Sequence, residues 1–434
     1  MIYKINKPLL FLLFVSFASC ASPAKNIQPQ INSLVAAKRL DSALRFLDHD
    51  PAVYGSRNEL LYWLDKGMTA HLAARYQDSI AAFESAKTKY DALYTRSISQ
   101  AAASWAVNDY AQDYRGDDHE YVMLNIVQAL NFAVLGNVDE ALVEARDVDQ
   151  KLNLINSRYK QGQANVYKDD AFARFLSGIL WEAQETSEGF NDAYIAYTRA
   201  LEVYQSDYQR NYGISAPQIL KDNLEVMRAF MENDTRPRSD KAEVYIFEYT
   251  GYVPVKVSDS FPVPLDLTHV TKIAFPRYAP RFTEVCSSRV TAAKDGEEYV
   301  QETQIGQNIG AIAAKIMDSR KVAILAKAGI RPLVKYAAEK AAETQVRGAY
   351  GKLPADIVNI LGNVYNLATE EPDLRGWQTL PNEIRVAKLV LDPGSYEIAV
   401  EDLNDAKVVI EKRPVATVTL KAGEKKFLVS RGYR

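Results

Sequence analysis

Cys20 is the residue with the most specific chemistry. Lys4 and Lys7 precede the apolar run Leu9 to Phe17, and Ala18-Ser19-Cys20 follows it. A positive start, a short apolar centre and small residues before a cysteine form a secretory signal. In one reading the thiol of Cys20 is acylated and Cys20 becomes the first mature residue, with Phe17 standing where leucine is commoner. In the other, cleavage falls after Ala21 or Ala24 and the product is soluble. The apolar run is too short to span a bilayer. Several acyl chains would hold the protein on a membrane, because each buried methylene adds about 0.8 kcal/mol.

Asp117, Asp118, His119 and Glu120 are the next candidates. Three carboxylates beside an imidazole could hold a divalent metal. They are equally the cap and acidic first turn of a helix starting near Glu120, where the helix dipole favours negative charge. Capping is the expectation, with no metal and no cofactor. Glu144 and Arg146 are read as solvated or paired helix positions. Cys286 has no cysteine partner once Cys20 is used, so no internal disulfide is expected, and it is read as a small buried hydrophobe. His49, His71, His119 and His269 are far apart in sequence. No GxSxG, HExxH, phosphate-binding glycine loop or usable Cys–His pair is present. With 52 basic and 55 acidic side chains, no basic excess points to nucleic acid.

These residues must be positioned by two kinds of element. From Ile31 to about Phe230 the apolar pattern is helical. Gly136-Asn137 divides Tyr121 to Leu152 into a hairpin whose small residues Ala129, Ala141 and Ala145 allow close approach. Leu60 to Tyr90 and Ala171 to Tyr204 supply two more, with Gly67 and Gly178 at small positions and Phe83 and Tyr197 at large ones. The spacing of Ser79, Ala141 and Ala193 departs from a 34-residue period, so a degenerate tetratricopeptide-like array is expected, with an extra helix at Leu93 to Tyr110 and a loop or short helix near Asn156 to Tyr167. Leu220 to Met231 is a closing helix. The concave face of such an array is a usual place to bind a partner segment.

After the polar stretch Asn233 to Lys241 the period changes. Val244 to Tyr249 is nearly all apolar, as in a strand covered on both faces. Val253 to Val257, Lys272 to Phe275, Cys286 to Ala292 and Tyr299 to Thr303 are further strands. A helical insert follows, with Ile305, Ile309, Ile312 and Ile316 on one face, a break at Arg331-Pro332, and a second helix over Asp356 to Leu367. It packs on a sheet face or, through Lys315, Arg320, Lys321 and Lys327 beside apolar residues, rests on a bilayer or partner; packing is the expectation. Strands resume over Ile384 to Leu391, Tyr396 to Val400, Lys407 to Ile410, Val415 to Leu420 and Lys426 to Val429. The fold class is therefore α+β and multidomain. Signal 1–20, tether 21–30 and helical domain 31–232 come first. An antiparallel β-sandwich-like domain (241–304 and 370–434) follows, interrupted by the insert 305–369.

Ala18-Ser19-Cys20 resembles a bacterial lipobox. Asn108 to Leu152, the insert, and Glu370 to Ile398 together resemble a family of uncharacterised bacterial envelope lipoproteins with tetratricopeptide-like repeats. The resemblance covers most of the mature chain. Its members have no established activity, and some lie near genes for lipoprotein activators of cell-wall synthases. By similarity to enterobacterial lipoproteins, Ala21 after the cysteine implies the outer membrane, facing the periplasm. The function expected is a non-enzymatic scaffold or adaptor that binds an envelope protein through its repeats, with cell-wall synthesis or secretion machinery as partner classes. The alternative is a peptidoglycan- or glycan-binding, or hydrolytic, protein acting through the C-terminal domain. Arg375 and Trp377 are the candidate partner-binding residues, since arginine and tryptophan are favoured anchors; Trp377 anchoring the return from the insert is the competing reading.

Overall fold

The computed structural model describes residues 24–49, 51–100, 112–157, 166–233, 240–265, 270–350 and 371–433. Cys20 and the signal lie outside them, as does the expected helix over 356–367. Among the described residues ten α-helices come first: α1 (Ala24–Ala36), α2 (Leu40–His49), α3 (Glu59–Leu72), α4 (Tyr76–Gln100), α5 (Asp118–Val134), α6 (Val138–Ser157), α7 (Ala171–Glu182), α8 (Ser187–Val203), α9 (Gln209–Tyr212) and α10 (Gln218–Asn233). The three expected hairpins are α3–α4, α5–α6 and α7–α8. Their crossings are close because a Cβ at Gly67 would land on the Phe83 ring and one at Gly178 on the Tyr197 ring. Gly136 turns the middle hairpin at φ 81°, a conformation that glycine adopts without penalty.

Several boundaries differ from the sequence reading. The tether is already helical from Ala24, and Gln28 is buried, donating to the Gly376 carbonyl at 2.6 Å. α4 runs unbroken to Gln100, so the extra helix expected from Leu93 is its continuation as far as described. α6 likewise extends to Ser157. Glu144 is buried and paired, with Lys87 and with the Asn125 amide at 2.8 Å.

The strands are β1 (Ala242–Thr250), β2 (Val255–Pro264), β3 (Val270–Ala279), β4 (Ser287–Lys294), β5 (Glu297–Glu302), β6 (Gln304–Asn308), β7 (Glu383–Leu391), β8 (Gly394–Leu403), β9 (Val409–Leu420) and β10 (Lys425–Arg431). They form one sheet ordered β10-β1-β7-β6, another ordered β5-β4-β8-β9, and the hairpin β2-β3. Not every ladder is antiparallel as expected: β1 and β10 pair in parallel, because the chain crosses from the second sheet to the first between β9 and β10. The two predicted strands from Lys407 to Leu420 are one strand. Pro414 is tolerated within it because β9 is an edge and its ladder shifts register opposite Ile398/Ala399. Cys286 is exposed, contrary to expectation, since Val285 takes the buried place beside it.

β1 is covered on both faces, as its composition demands. Ala242, Val244 and Ile246 join β7 and the second sheet in one apolar cluster. Tyr245, Phe247 and Tyr249 join the helical core. The covering layer is the N-terminal helical region rather than the insert. Phe172 meets Phe247 edge-on at 6.3 Å, and Asn223 donates to the Tyr245 hydroxyl at 3.0 Å.

Ile305 and Gly306 belong to β6, not to a helix. The Gly306 carbonyl accepts from Tyr204 at 2.6 Å, and a Cβ on Gly306 would lie 2.7 Å from the Phe172 ring. The insert helix α11 (Ile309–Tyr350) then runs 42 residues. Ile309, Ile312, Ala313 and Ile316 are buried. The backbone stays helical through Arg331-Pro332: an interior proline removes one amide donor, and the strong helix formers beyond it continue the pattern. No helix among the described residues is long and apolar enough to cross a membrane.

Gly178→Ala tests the close crossing of α7 and α8. Forcing the Tyr197 ring aside should cost about 1–3 kcal/mol in urea unfolding; an unchanged midpoint would refute the packing account.

Candidate functional site

A cleft of about 420 Å³ opens where α5 begins. Residues 112–117 form one side, β2–β3 another, and the first half of α11 a third, with residues 372–375 at the base. Ala274, Pro276, Ala313, Ile316, Met317, Ile324 and Ala328 make an apolar wall. The floor is polar: Asp117, His119, Lys256, Tyr278, Arg320, Asp373 and Arg375.

The floor is organised by the cap of α5. Glu120 accepts the Asp117 amide at 2.9 Å in a capping box, as the acidic first turn predicts. The other Glu120 oxygen accepts the Trp377 amide at 2.7 Å, and the Tyr114 hydroxyl also donates to Glu120. Asp117 accepts the Tyr278 hydroxyl at 2.9 Å and lies 2.6 Å from the Lys256 ammonium. Arg320 pairs with Asp118. Burial, the largest influence, opposes ionisation of Asp117, but the Lys256 ammonium and the Tyr278 hydroxyl act together with the rest of its surroundings to hold the carboxyl well below its usual range. Burial and the neighbouring Asp117 charge push Glu120 up to about 7. Burial holds His119 down to about 4. Its Nδ1 is buried without a hydrogen-bond partner, and its ring stands edge-on to Tyr278 at 6.4 Å.

Asp117, His119 and Glu120 bring ligand-type atoms within 4.8 Å of one another. The donor set nevertheless suits a metal poorly. Lys256 already supplies the cation at Asp117, and Glu120 is committed to two backbone amides and a phenol. A dication would have to displace a buried ammonium and break the helix cap.

The two residues offered as partner anchors are placed differently. Trp377 is 1 % exposed and packs edge-on against Phe83 at 5.7 Å; it locks the return from the insert onto the helical hairpins. Arg375 is 3 % exposed. It pairs with Asp373 at 2.7 Å, donates to Asn58 at 2.9 Å and lies over the Tyr114 ring. Neither presents a free side chain to a partner, because apolar and charged surface at a junction is satisfied internally first. Sequence reasoning reached Asp117 to Glu120 through their local polarity. It missed Lys256 and Tyr278, which carry no local signal and approach only through the fold, and it offered Arg320 as a bilayer or partner contact, whereas Arg320 lines this cleft and pairs with Asp118.

Within the buried junction, Asp65 receives the Tyr54 hydroxyl at 2.8 Å, the Thr379 hydroxyl at 2.9 Å and the Gln28 amide at 3.3 Å. It thereby joins α1, α3 and the 371–382 segment.

The helical region also opens on its outer side. One groove between α2, α3 and α4 contains Trp63, Lys66 and Arg75. Another between α6, α7 and α8 contains Arg146, Arg174, Trp181, Ile195 and Arg199. The Lys66 ammonium lies 5.6 Å from the Trp63 ring centre, and the Arg146 guanidinium 5.8 Å from that of Trp181. The chain matches no protein-family model, no curated protein and no solved structure.

Two predictions follow from the buried charges. Lys256→Met should destabilise the protein by about 3–5 kcal/mol by stranding Asp117. Adding Asp117→Asn should recover much of that loss in a double-mutant cycle, and strict additivity would show the pair is not coupled. Asp65 is raised by burial from 3.8 to about 6. A carboxyl that is easier to protonate when folded gives its full stability below about pH 4 and loses it as pH rises through about 6. Asp65→Asn should therefore flatten the stability profile over that window by up to about 1.4 kcal/mol per pH unit; an unchanged slope assigns the dependence elsewhere.

Proposed function

We propose that this chain is a non-enzymatic, periplasm-facing scaffold or adaptor lipoprotein, held at the outer membrane by acyl chains on Cys20. Its helical hairpins act as a degenerate tetratricopeptide-like array, and its C-terminal strands as a sandwich-like module that stiffens it. The partner is an envelope protein or peptide, with cell-wall synthesis or secretion machinery as the classes to test.

The observation that carries this reading is how the hairpins divide their faces. The first helices, α3, α5 and α7, are spent against the chain's own sheet, so the inner face is not free for a partner segment. The outer grooves remain open, each with a tryptophan beside a cation. Such groups are favoured binding anchors, and Ile195 in the second groove is 57 % exposed. A hydrolytic role has less support: Asp117 and Glu120 serve as acceptors for a helix cap, a lysine and two tyrosines, and their protons are not presented to a substrate.

Removing the helical half would uncover Tyr245, Phe247 and Tyr249, so point variants are the cleaner test. A photo-crosslinking residue at Ile195 should capture one discrete envelope protein in intact cells, and Trp181→Ala should reduce that capture at least about tenfold, the size of a binding hot spot. No capture from either groove, with the chain folded and at normal abundance, would overturn the adaptor reading.

A further inference from the structure

The cleft above Asp117 and Lys256 has a wall and a floor of opposite character. On α11, Ala313, Ile316, Met317, Ile324 and Ala328 share one helical stripe that lines it, and Ala274 on β3 lines the other side. From Ala313 to Ala328 the stripe runs about 22 Å at 1.5 Å per residue. A trough of that length takes a linear chain more readily than a compact ring. No described wall residue is aromatic, so a sugar or a base finds no ring there to stack on. The two tyrosines of the cleft are engaged at its base: Tyr278 donates to Asp117 at 2.9 Å, and Tyr114 lies under the Arg375 guanidinium and donates to Glu120.

The floor charges are matched one for one. Lys256 sits 2.6 Å from Asp117, Arg375 lies 2.7 Å from Asp373, and Arg320 pairs with Asp118. Arg115 and Asp113 at the rim add one charge of each sign. A ligand of net charge would have to break one of these pairs, and a buried ion that loses its partner is costly. His119 differs from its neighbours. Burial keeps it neutral, and its Nδ1 is buried without a hydrogen-bond partner. A neutral imidazole offers one donor and one acceptor, so a hydroxyl or an amide is the head that it satisfies. The cleft volume of about 420 Å³ falls within the range of about 300–1,000 Å³ usual for small-ligand sites.

We propose that this cleft binds a small uncharged amphiphile, its aliphatic chain along the α11 stripe and its hydroxyl or amide head at His119. The site is separate from the partner grooves and from Cys20, so its failure would leave the adaptor reading standing.

The test uses the chain from Ala21, which keeps every described residue and lacks the acylation site. Linear 1-alkanols from hexanol to nonanol are titrated by ligand-observed NMR, with octanoate and octylammonium as charged analogues. Saturable 1:1 binding of the alkanols is expected, tightening about three- to fourfold with each methylene. Octanoate and octylammonium should bind at least about tenfold more weakly than 1-octanol. Met317 is half-buried, and Met317→Trp, whose ring fills the trough, should weaken 1-octanol at least about tenfold. His119→Phe keeps the bulk of the ring and should cost about fivefold, the worth of one hydrogen bond. Each variant is first shown to unfold at the parent's urea midpoint; if one loses its fold, the other decides. Absence of saturable binding overturns the proposal. So does either charged analogue binding as tightly as 1-octanol, or folded variants that bind as the parent does, which would place the alkanol elsewhere on the chain.

Discussion

Strand β1 must bury both of its faces, and the architecture follows from how it does so. Its even-numbered residues Ala242, Val244 and Ile246 close the cluster between the two sheets, while Tyr245, Phe247 and Tyr249 close the core beneath the helices. Neither layer is complete without this strand. At about 25 cal/mol per Å² of apolar surface removed from water, three aromatic side chains on one face are a strong reason for the helical region and the sheet to form one body. The parallel pairing with β10 serves the same end, since it brings Phe427 to within 6.0 Å of Tyr245, stacked on the helical side.

Polar groups caught in that interface had to be satisfied within it. His71 bridges Asn131 at 2.6 Å and Tyr249 at 2.9 Å, and Asn131 continues to Ser79 and the Gly67 carbonyl. Burial holds His71 down to about 4, so it is a neutral connector between α3, α5 and β1. On the sandwiched side, Arg413 pairs with Glu248 at 2.6 Å and with Asp402. These networks contribute specificity of docking more than net stability, since a buried pair gains little over an apolar core but is costly to break.

The same economy explains what remains for function. Surfaces that a sequence reading would offer to partners, including the inner face of the hairpins and the Arg375–Trp377 pair, are consumed in joining the two halves. What stays open is peripheral: the outer grooves and the apolar-walled cleft above Asp117 and Lys256.

The sequence alone determined the local units. Gly67 facing Phe83 and Gly178 facing Tyr197 announced close helix crossings, the acidic run at 117–120 announced a cap, and the apolar Val244 to Tyr249 announced a strand with no wet face. Each is a short-range signal, because periodicity and residue size act over one or two turns. Tertiary structure decided what covers each apolar face, that Ile305 and Gly306 lie within a strand instead of a helix, and which distant cation neutralises Asp117. Trp377 and Glu120 are 257 positions apart, and no local pattern encodes their meeting. An apolar stripe shows that a face needs burying, but only the folded chain fixes which surface supplies the burial.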